Sequence, residues 1–297
     1  MTSSAGDWRE EARHWLRGLW PTSRLFRVTV VRQRAWGENW TIDTDDGRFW
    51  FKSPHPSLRG EAALREVLER HAPRDVQPMH AHHPAGWIVS ADAGASLATG
   101  EGDPTVGLAE ALSRIQRATP LAELTKLPLR VFDPEHAAHN LAQLLDGIAA
   151  SLPGNHPLRP DKAEREAACA AMWHMTAWWV SVDPGLPLGI EHNDLHPGNT
   201  FPGPRIADWG DAVIAHPFAS MRVLLHHARD RRATADAYLR GWGDPEELHE
   251  PLEVAVRLAA VQRLATWVGI LDADLATRYA HHIRPLWLET GREPAVP

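Results

Sequence analysis

Hydrophobic and polar positions follow two different periods along the chain, and the period changes near residue 92. Before that point, alternation with β-branched and aromatic residues predicts a strand at Leu25–Gln33 and a hairpin from Asn39 to Lys52. A short apolar run at Gly86–Asp92 predicts a further, buried strand. Apolar residues at helical spacing predict helices over Asp7–Leu19 and Arg59–His71.

Beyond residue 104 the spacing is helical. It predicts helices at Thr105–Ala118, Pro134–Ala150 and Asp161–Val182, then three or four more between Phe218 and Trp287. A segment rich in Pro and Gly, Ile190–Ala212, interrupts the series and is predicted to be loop and short hairpin. We therefore expect an α+β chain with a strand-rich N-terminal domain, residues 1–91, and a helical domain, residues 92–297.

Composition and charge narrow the class of partner. The net charge is −7 and no long run of like charge occurs, so nucleic acid and anionic membranes are not expected partners. With the single cysteine, Cys169, no internal disulfide can form. No segment has the length and apolarity of a confident membrane span, and the N-terminus lacks the pattern of a signal peptide. We expect a cytoplasmic monomer or homodimer that acts on a small molecule.

The interrupting segment, "IEHNDLHPGNTFPGPRIADWGDA", carries most of the candidate chemistry. Asp194 and Asn199 are five positions apart, His192 precedes them, and Asp208 follows. Phosphoryl transfer needs a carboxylate to orient the attacking hydroxyl and hard oxygen ligands to hold Mg²⁺ on the nucleotide phosphates. The spacing of His, Asp and Asn is that of a kinase catalytic loop.

A kinase also needs a strand lysine for the nucleotide phosphates and a helix glutamate that orients it. Lys52 ends the predicted strand "RFWFK" and is one of only three lysines among the 31 basic residues. Glu61 and Glu66 both lie on the next predicted helix. The strand lysine, the helix glutamate, the His-Asp-Asn loop and the aspartate that follows it occur in the order that a kinase requires. Together these four elements are far more specific than the loop motif alone.

Five stretches of the sequence carry a resemblance to a known family: "HNDLHPGN", "DWGDAVIAHPF", the "WFK" strand, the "EAALREVL" helix and "WIVSADAG". In these stretches the chain resembles the aminoglycoside phosphotransferase family, relatives of choline kinase, and the likeness extends from about residue 25 to at least 230. The resemblance implies a bilobal protein kinase-like fold, with a small antiparallel-sheet N-lobe and a larger, mostly helical C-lobe. It implies ATP-dependent phosphorylation of a hydroxyl on a small molecule, such as an aminoglycoside or amino sugar.

The resemblance also implies residue roles. Asp194 would be the catalytic base, and Asn199 and Asp208 the Mg²⁺ ligands. Lys52 would contact the phosphates of ATP with Glu61 as its partner and Glu66 as the alternative. In the linker, Ser90, Ala91 and Asp92 would offer backbone groups to adenine.

The chain departs from the kinase pattern in two places. The expected phosphate loop "RAWGENW" has a single glycine, Gly37, and its neighbours Trp36 and Trp40 are candidates for ligand contact. An activation segment is not apparent, which argues against a protein substrate. An inactive, kinase-like nucleotide-binding module is the alternative function.

Other polar residues have weaker interpretations. For His192 and Asp211 we favour structural roles, whereas His196 stays open between lining the cleft and bracing the Pro-Gly turn. His80, His82 and His83 lack a zinc-type ligand pattern, so a solvated loop is favoured over a metallohydrolase site.

The C-terminal helices contain no readable acceptor motif. Two histidine pairs there, at 226–227 and 281–282, are predicted to lie on the surface, and Trp178 and Trp179 are predicted to pack in the core. Acidic residues on these helices are candidates for binding a polyamine-like acceptor or simply for a solvated face: Asp230, Asp236, Glu246, Glu247 and Glu250.

Overall fold

The computed structural model of the protein describes residues 7–288. Its N-terminal part is a five-stranded antiparallel sheet with the strand order β1-β2-β3-β5-β4. The strands are β1 (Phe26–Arg34), β2 (Gly37–Thr44), β3 (Gly47–Pro54), β4 (Ala81–His82) and β5 (Ile88–Ala91).

One face of this sheet carries a small aromatic core. Trp40 of β2 pairs in register with Phe51 of β3, and both side chains are fully buried against Leu16 of helix α1 (Asp7–Leu19). Because side chains alternate between the faces of a strand, Lys52 points to the opposite face from Phe51. Helix α2 (Glu61–His71) contributes Leu64 and Leu68 to the core of the C-terminal part.

The C-terminal part is mostly helical and is arranged around one long helix. Helix α9 contacts α5, α6, α7, α8 and α11. The helices are α3 (Thr105–Ala118), α4 (Leu121–Leu124), α5 (Ala137–Ser151), α6 (Lys162–Val182), α7 (Met221–His227), α8 (Arg231–Leu239), α9 (Pro245–Ile270), α10 (Ala273–Ile283) and α11 (Pro285–Leu288).

Short strands position the segment Ile190–Ala212 that interrupts the helices, called the polar segment below. A three-stranded sheet has the order β6-β10-β7, and a separate hairpin joins β8 to β9. These strands are β6 (Val131–Phe132), β7 (Gly189–Glu191), β8 (Thr200–Phe201), β9 (Arg205–Ile206) and β10 (Val213–Ala215). The segment therefore leaves one sheet at Glu191, passes through the hairpin and returns to the same sheet at Val213.

The predicted α+β class, with a small antiparallel sheet and a larger helical part, is confirmed. The helix expected from Pro134 begins at Ala137 after a single 3₁₀ turn, and the region from Phe218 to Trp287 holds five helices, the last of one turn. β5 ends at Ala91, and a division into two domains at that point stays a prediction. None of the helices within residues 7–288 is long and apolar enough to span a bilayer.

The structure differs from two expectations about tryptophans. Trp40 is fully buried in the sheet core and cannot contact a ligand, because its position on β2 faces α1. Trp178 is only half-buried and donates its indole N–H to Glu250, whereas Trp179 packs in the core as expected.

Candidate active site

Lys52 joins the two parts of the molecule. Its ammonium Nζ lies 2.5 Å from Glu61 Oε2 on α2 and also contacts Asp208 Oδ1 of the polar segment. Burial disfavours the charged lysine, but the carboxylates of Asp208 and Glu61 outweigh it and raise the pKa of Lys52. Glu66, the alternative partner, contacts His82 instead, with 2.7 Å between Glu66 Oε1 and His82 Nε2.

Gly210 makes room for this ion pair. A Cβ atom at position 210 would lie 3.2 Å from Glu61 Oε2 and 3.3 Å from Lys52 Nζ, tighter than ordinary contacts. The glycine of the "DWG" sequence therefore lets the backbone pass directly beside the lysine. Trp209 of the same sequence is buried and packs against the ring of His192.

The backbone of the polar segment takes up two unfavourable conformations. Asn193 and Asp208 are the two non-glycine residues of the described chain with positive φ, at 63° and 61°. Such conformations persist where the surroundings fix them, and they concentrate at functional sites. The Asn193 side chain provides part of this restraint, because its Nδ2 donates to Thr266 Oγ1 at 3.0 Å and to the carbonyl of Asp211 at 3.2 Å.

His192 braces the loop from inside. It is fully buried, its Nε2 donates to the Ala207 carbonyl at 2.9 Å, and its Nδ1 accepts from the Asp194 amide at 3.3 Å. Burial lowers the pKa of His192 to about 4, so the ring is neutral at pH 7. Both ring nitrogens are engaged with backbone groups, which is the arrangement of a structural histidine.

The two predicted metal ligands are held side by side. The Ala207 amide donates to the Asn199 carbonyl at 2.9 Å, which places Asn199 next to the residue preceding Asp208. Asn199 Nδ2 donates to the Asp194 carbonyl at 3.1 Å, and this fixes the direction of its amide oxygen. An amide oxygen and a carboxylate are the hard ligands that Mg²⁺ prefers, so the residues fit the ion.

Asp194 is held by an arginine that no sequence motif identifies. Arg263 of α9 places Nη2 2.8 Å from Asp194 Oδ1 and Nη1 2.5 Å from Asp211 Oδ2. The same guanidinium donates to the Asn193 carbonyl at 3.2 Å. Burial raises the pKa of Asp194 to about 7, and Arg263 acts in the opposite direction.

The segment expected to meet adenine lies at an open sheet edge. β4 pairs only with Ile88 and Val89, so the edge of β5 is unpaired on that side from Ser90 onward among the described residues. The side chains are used elsewhere: Ser90 Oγ accepts from Arg65, and Asp92 Oδ1 accepts from the Trp50 indole N–H. Backbone groups are thus what this edge can offer to a ligand, although the Asp92 amide already donates to the Arg48 carbonyl at 3.0 Å.

A cavity of about 700 Å³ opens beside Asp194. Trp36 reaches it from the β1–β2 turn, and Trp267 and Tyr279 reach it from α9 and α10. The ring centroid of Trp36 lies 6.1 Å from that of Trp267 and 5.6 Å from that of Tyr279. Trp36 therefore meets the C-terminal helices next to the glycine of the expected phosphate loop.

The histidines outside the polar segment lie at the surface or close to it. His80 and His82 are exposed, as expected for a solvated stretch, although His80 also stacks on Trp20 and the half-buried His83 stacks on Trp87. His196 Nδ1 accepts from the Gly198 amide at 3.0 Å, which shows it bracing the Pro-Gly turn. Three exposed histidines of the two C-terminal pairs line the cavity: His226, His281 and His282.

The sequence matches the family described as "Phosphotransferase enzyme family" over residues 28–254. The chain belongs to this family. A comparison with curated protein sequences found no significant match.

Solved structures share the fold over nearly the whole chain. An ethanolamine kinase of Plasmodium vivax has a TM-score of 0.68 at 9% identity, covering 98% of this chain and 92% of that one. The GDP complex of aminoglycoside 2'-phosphotransferase-IIIa has a TM-score of 0.65 at 14% identity, covering 95% and 98%. A macrolide 2'-phosphotransferase from Brachybacterium faecium has a TM-score of 0.61 at 17% identity, covering 97% and 100%. This phosphotransferase therefore has the bilobal protein kinase-like fold.

Replacing Lys52 by Arg should impair nucleotide use strongly without unfolding the phosphotransferase. The ammonium is a compact charge held between two carboxylates, and the wide planar guanidinium does not fit that position beside Gly210. We expect a large loss of kcat/KM for the nucleotide with a nearly unchanged melting temperature. Lys126→Arg, on an exposed lysine without a comparable ion pair among the described residues, is the control. Unchanged kinetics for Lys52→Arg would show that Lys52 does not bind the phosphates of the nucleotide.

The rate should fall as the pH drops through about 7, because Asp194 can accept a proton only as a carboxylate and its pKa lies at about that value. Arg263 lowers this pKa, so Arg263→Gln should move the acidic limb of the kcat/KM profile to higher pH. Arg257→Gln, on the same helix but paired with Glu253, should leave the limb in place. A limb that moves to lower pH in Arg263→Gln would contradict the assignment.

Proposed function

We propose that this phosphotransferase moves the γ-phosphoryl group of ATP to a hydroxyl group of a small molecule. The observation that carries the proposal is the ion pair of Lys52 with Glu61 and Asp208. It brings a lysine from the N-terminal sheet to the same polar segment that presents Asp194 to the cavity. Phosphoryl transfer depends mainly on positioning and on charge stabilisation, and these residues supply both.

In the proposed reaction the acceptor oxygen attacks the γ-phosphorus and forms the new P–O bond. The bond between the γ-phosphorus and its bridging oxygen breaks, and ADP leaves with that electron pair. The hydroxyl proton passes to the carboxylate of Asp194. A carboxyl whose pKa is about 7 is well suited to accept and release a proton near neutral pH.

The other predicted site residues are assigned to the nucleotide. Lys52 would contact the phosphates while Glu61 holds it in place. Asn199 and Asp208 would bind Mg²⁺, which neutralises charge on the phosphates. Backbone groups of Ser90, Ala91 and Asp92 would bind the base.

The printed descriptions of solved neighbours support a small-molecule acceptor. One is the GDP and kanamycin complex of an aminoglycoside 2''-phosphotransferase, and another is a spectinomycin phosphotransferase with ADP and spectinomycin. Since those complexes contain either guanine or adenine nucleotides, both ATP and GTP belong in the assay.

The cavity does not favour the aminoglycoside or amino-sugar acceptor that the resemblance suggested. None of the five acidic candidates on the C-terminal helices lines it. Most are engaged on the surface: Asp230 caps α8, Asp236 pairs with His249, Glu246 pairs with Arg232, and Glu250 accepts from Trp178. A polycation would therefore find few partners beside Asp194.

The alternative functions have less support. An inactive nucleotide-binding module would not need Asp194, Asn199, Asp208 and Lys52 to converge on one cleft. A metallohydrolase would need a cluster of ligands, and within residues 7–288 no group of three or more His, Cys, Asp or Glu side chains is placed to hold a metal.

Asp194→Asn tests the proposal directly. The amide preserves the size of the side chain but cannot accept the hydroxyl proton, so transfer should fall by about 10²–10⁴-fold. The measurement is release of ADP or GDP with Mg²⁺ over a panel of hydroxyl compounds, with the phosphorylated product confirmed by ³¹P NMR. Nucleotide affinity, measured by calorimetry, should change little.

The neighbouring Asp211→Asn is the matched control, because Asp211 shares Arg263 with Asp194 but is not assigned to the reacting hydroxyl. It should lose less activity than Asp194→Asn. Nucleotide binding without transfer to any acceptor would favour the inactive module. Transfer that survives in Asp194→Asn within a few-fold would place the base elsewhere.

A further inference from the structure

The charge of the cavity beside Asp194 differs from what a cationic acceptor would need. Among the described residues, the carboxylates that line it are Asp194 and Asp211, and both are already paired with Arg263. One guanidinium therefore occupies both carboxylates. An ammonium group of a substrate would have to compete with that guanidinium for either carboxylate.

Besides Arg263, the charged side chains of the lining other than the two carboxylates are arginines. Arg231 lies exposed at the first position of α8, and three histidines line the wall on α7 and α10. Arg222 also lines the cavity but is engaged, because it donates to the carbonyl of Val256 at 3.2 Å. An arginine side chain has only donors, so the exposed Arg231 offers a partner to an anion and none to a cation.

The remaining wall is aromatic and aliphatic. The rings of Trp267 and Tyr279 lie 5.2 Å apart at an angle of 34°, and Trp36 meets both nearly edge-on. Val256 and Ile270 complete an apolar surface. A flat hydrocarbon ring would bury its faces here, and a cavity of about 700 Å³ accommodates a small organic molecule.

We propose that the acceptor is a hydroxylated organic anion with an apolar ring. Its hydroxyl would face Asp194, its ring would pack against Trp36, Trp267 and Tyr279, and its anionic group would bind to Arg231. This inference rests on the proposed phosphotransfer at Asp194. It replaces a cationic acceptor by an anionic one at that site.

Three probes with one ring and one hydroxyl, but different charge, test the proposal. They are 4-(hydroxymethyl)benzoate, 4-(hydroxymethyl)benzamide and 4-(hydroxymethyl)benzylamine, titrated into the whole protein with Mg²⁺ and a non-hydrolysable ATP analogue by calorimetry. The benzoate should bind most tightly and the benzylamine most weakly. Tightest binding of the benzylamine, equal binding of all three, or no binding of any would overturn the proposal.

Arg231 and its neighbour Arg232 provide a matched pair of variants. Arg232 forms ion pairs with Asp236 and Glu246 and does not line the cavity. Arg231→Gln should weaken benzoate binding by roughly two- to fivefold, as for an exposed ion pair, and leave benzamide binding unchanged. Arg232→Gln should change neither. Equal effects of the two variants on the benzoate would overturn the role of Arg231.

Turnover separates this proposal from the function on which it rests. Phosphate transfer to the benzylamine probe in preference to the benzoate would overturn the anionic acceptor and keep the phosphotransfer. Binding of the benzoate without transfer to it, or to any other hydroxyl compound, would overturn the phosphotransfer and leave an anion-binding cavity. Transfer to the benzoate in preference to the other two probes supports both.

Discussion

The ion pair between Lys52 and two carboxylates is the interaction on which the rest of the site depends. Glu61 comes from helix α2 and Asp208 from the polar segment of the helical lobe, so one ammonium connects the two lobes. Because the Glu61 carboxylate is buried, loss of Lys52 would leave its charge uncompensated, which makes the arrangement intolerant of change. The close passage of Gly210 and the left-handed backbone of Asp208 both serve this contact.

A second ion pair organises the opposite side of the polar segment. Arg263 holds Asp194 and Asp211 together and also binds the carbonyl of Asn193. The polar segment is thus fixed by Lys52 on the side of the N-terminal sheet and by Arg263 on the side of α9. Arg263 occupies both carboxylates that line the cavity, and the rest of the lining includes the exposed Arg231 and the aromatic rings of Trp36, Trp267 and Tyr279.

The sequence predicted those parts of the structure that depend on local pattern. The alternation around Lys52 and the kinase-type spacing around Asp194 identified residues that the structure brings to one cleft, although their roles stay predictions. Trp40 shows the limit of this reasoning. Trp40 alternates with Ile42 along β2 and pairs in register with Phe51, which is typical of a buried position. Its closeness to Gly37 had favoured ligand contact instead.

Arg263 shows a different limit. It lies on a long helix in a chain whose basic residues are almost all arginine, and no short motif surrounds it. Its contact with Asp194 arises only from the packing of α9 against the polar segment, which no spacing in the sequence reveals. No spacing in the sequence reveals the cavity either, because its walls come from the β1–β2 turn and from several separate helices.

A crystal structure with Mg²⁺ and a non-hydrolysable ATP analogue tests the central claim most directly. The account predicts that Lys52 Nζ contacts the phosphate oxygens, that side-chain oxygens of Asn199 and Asp208 bind the ion, and that Asp194 faces the γ-phosphate from the cavity. A nucleotide bound elsewhere, with Lys52 still held by Asp208 and no phosphate near it, would contradict the account.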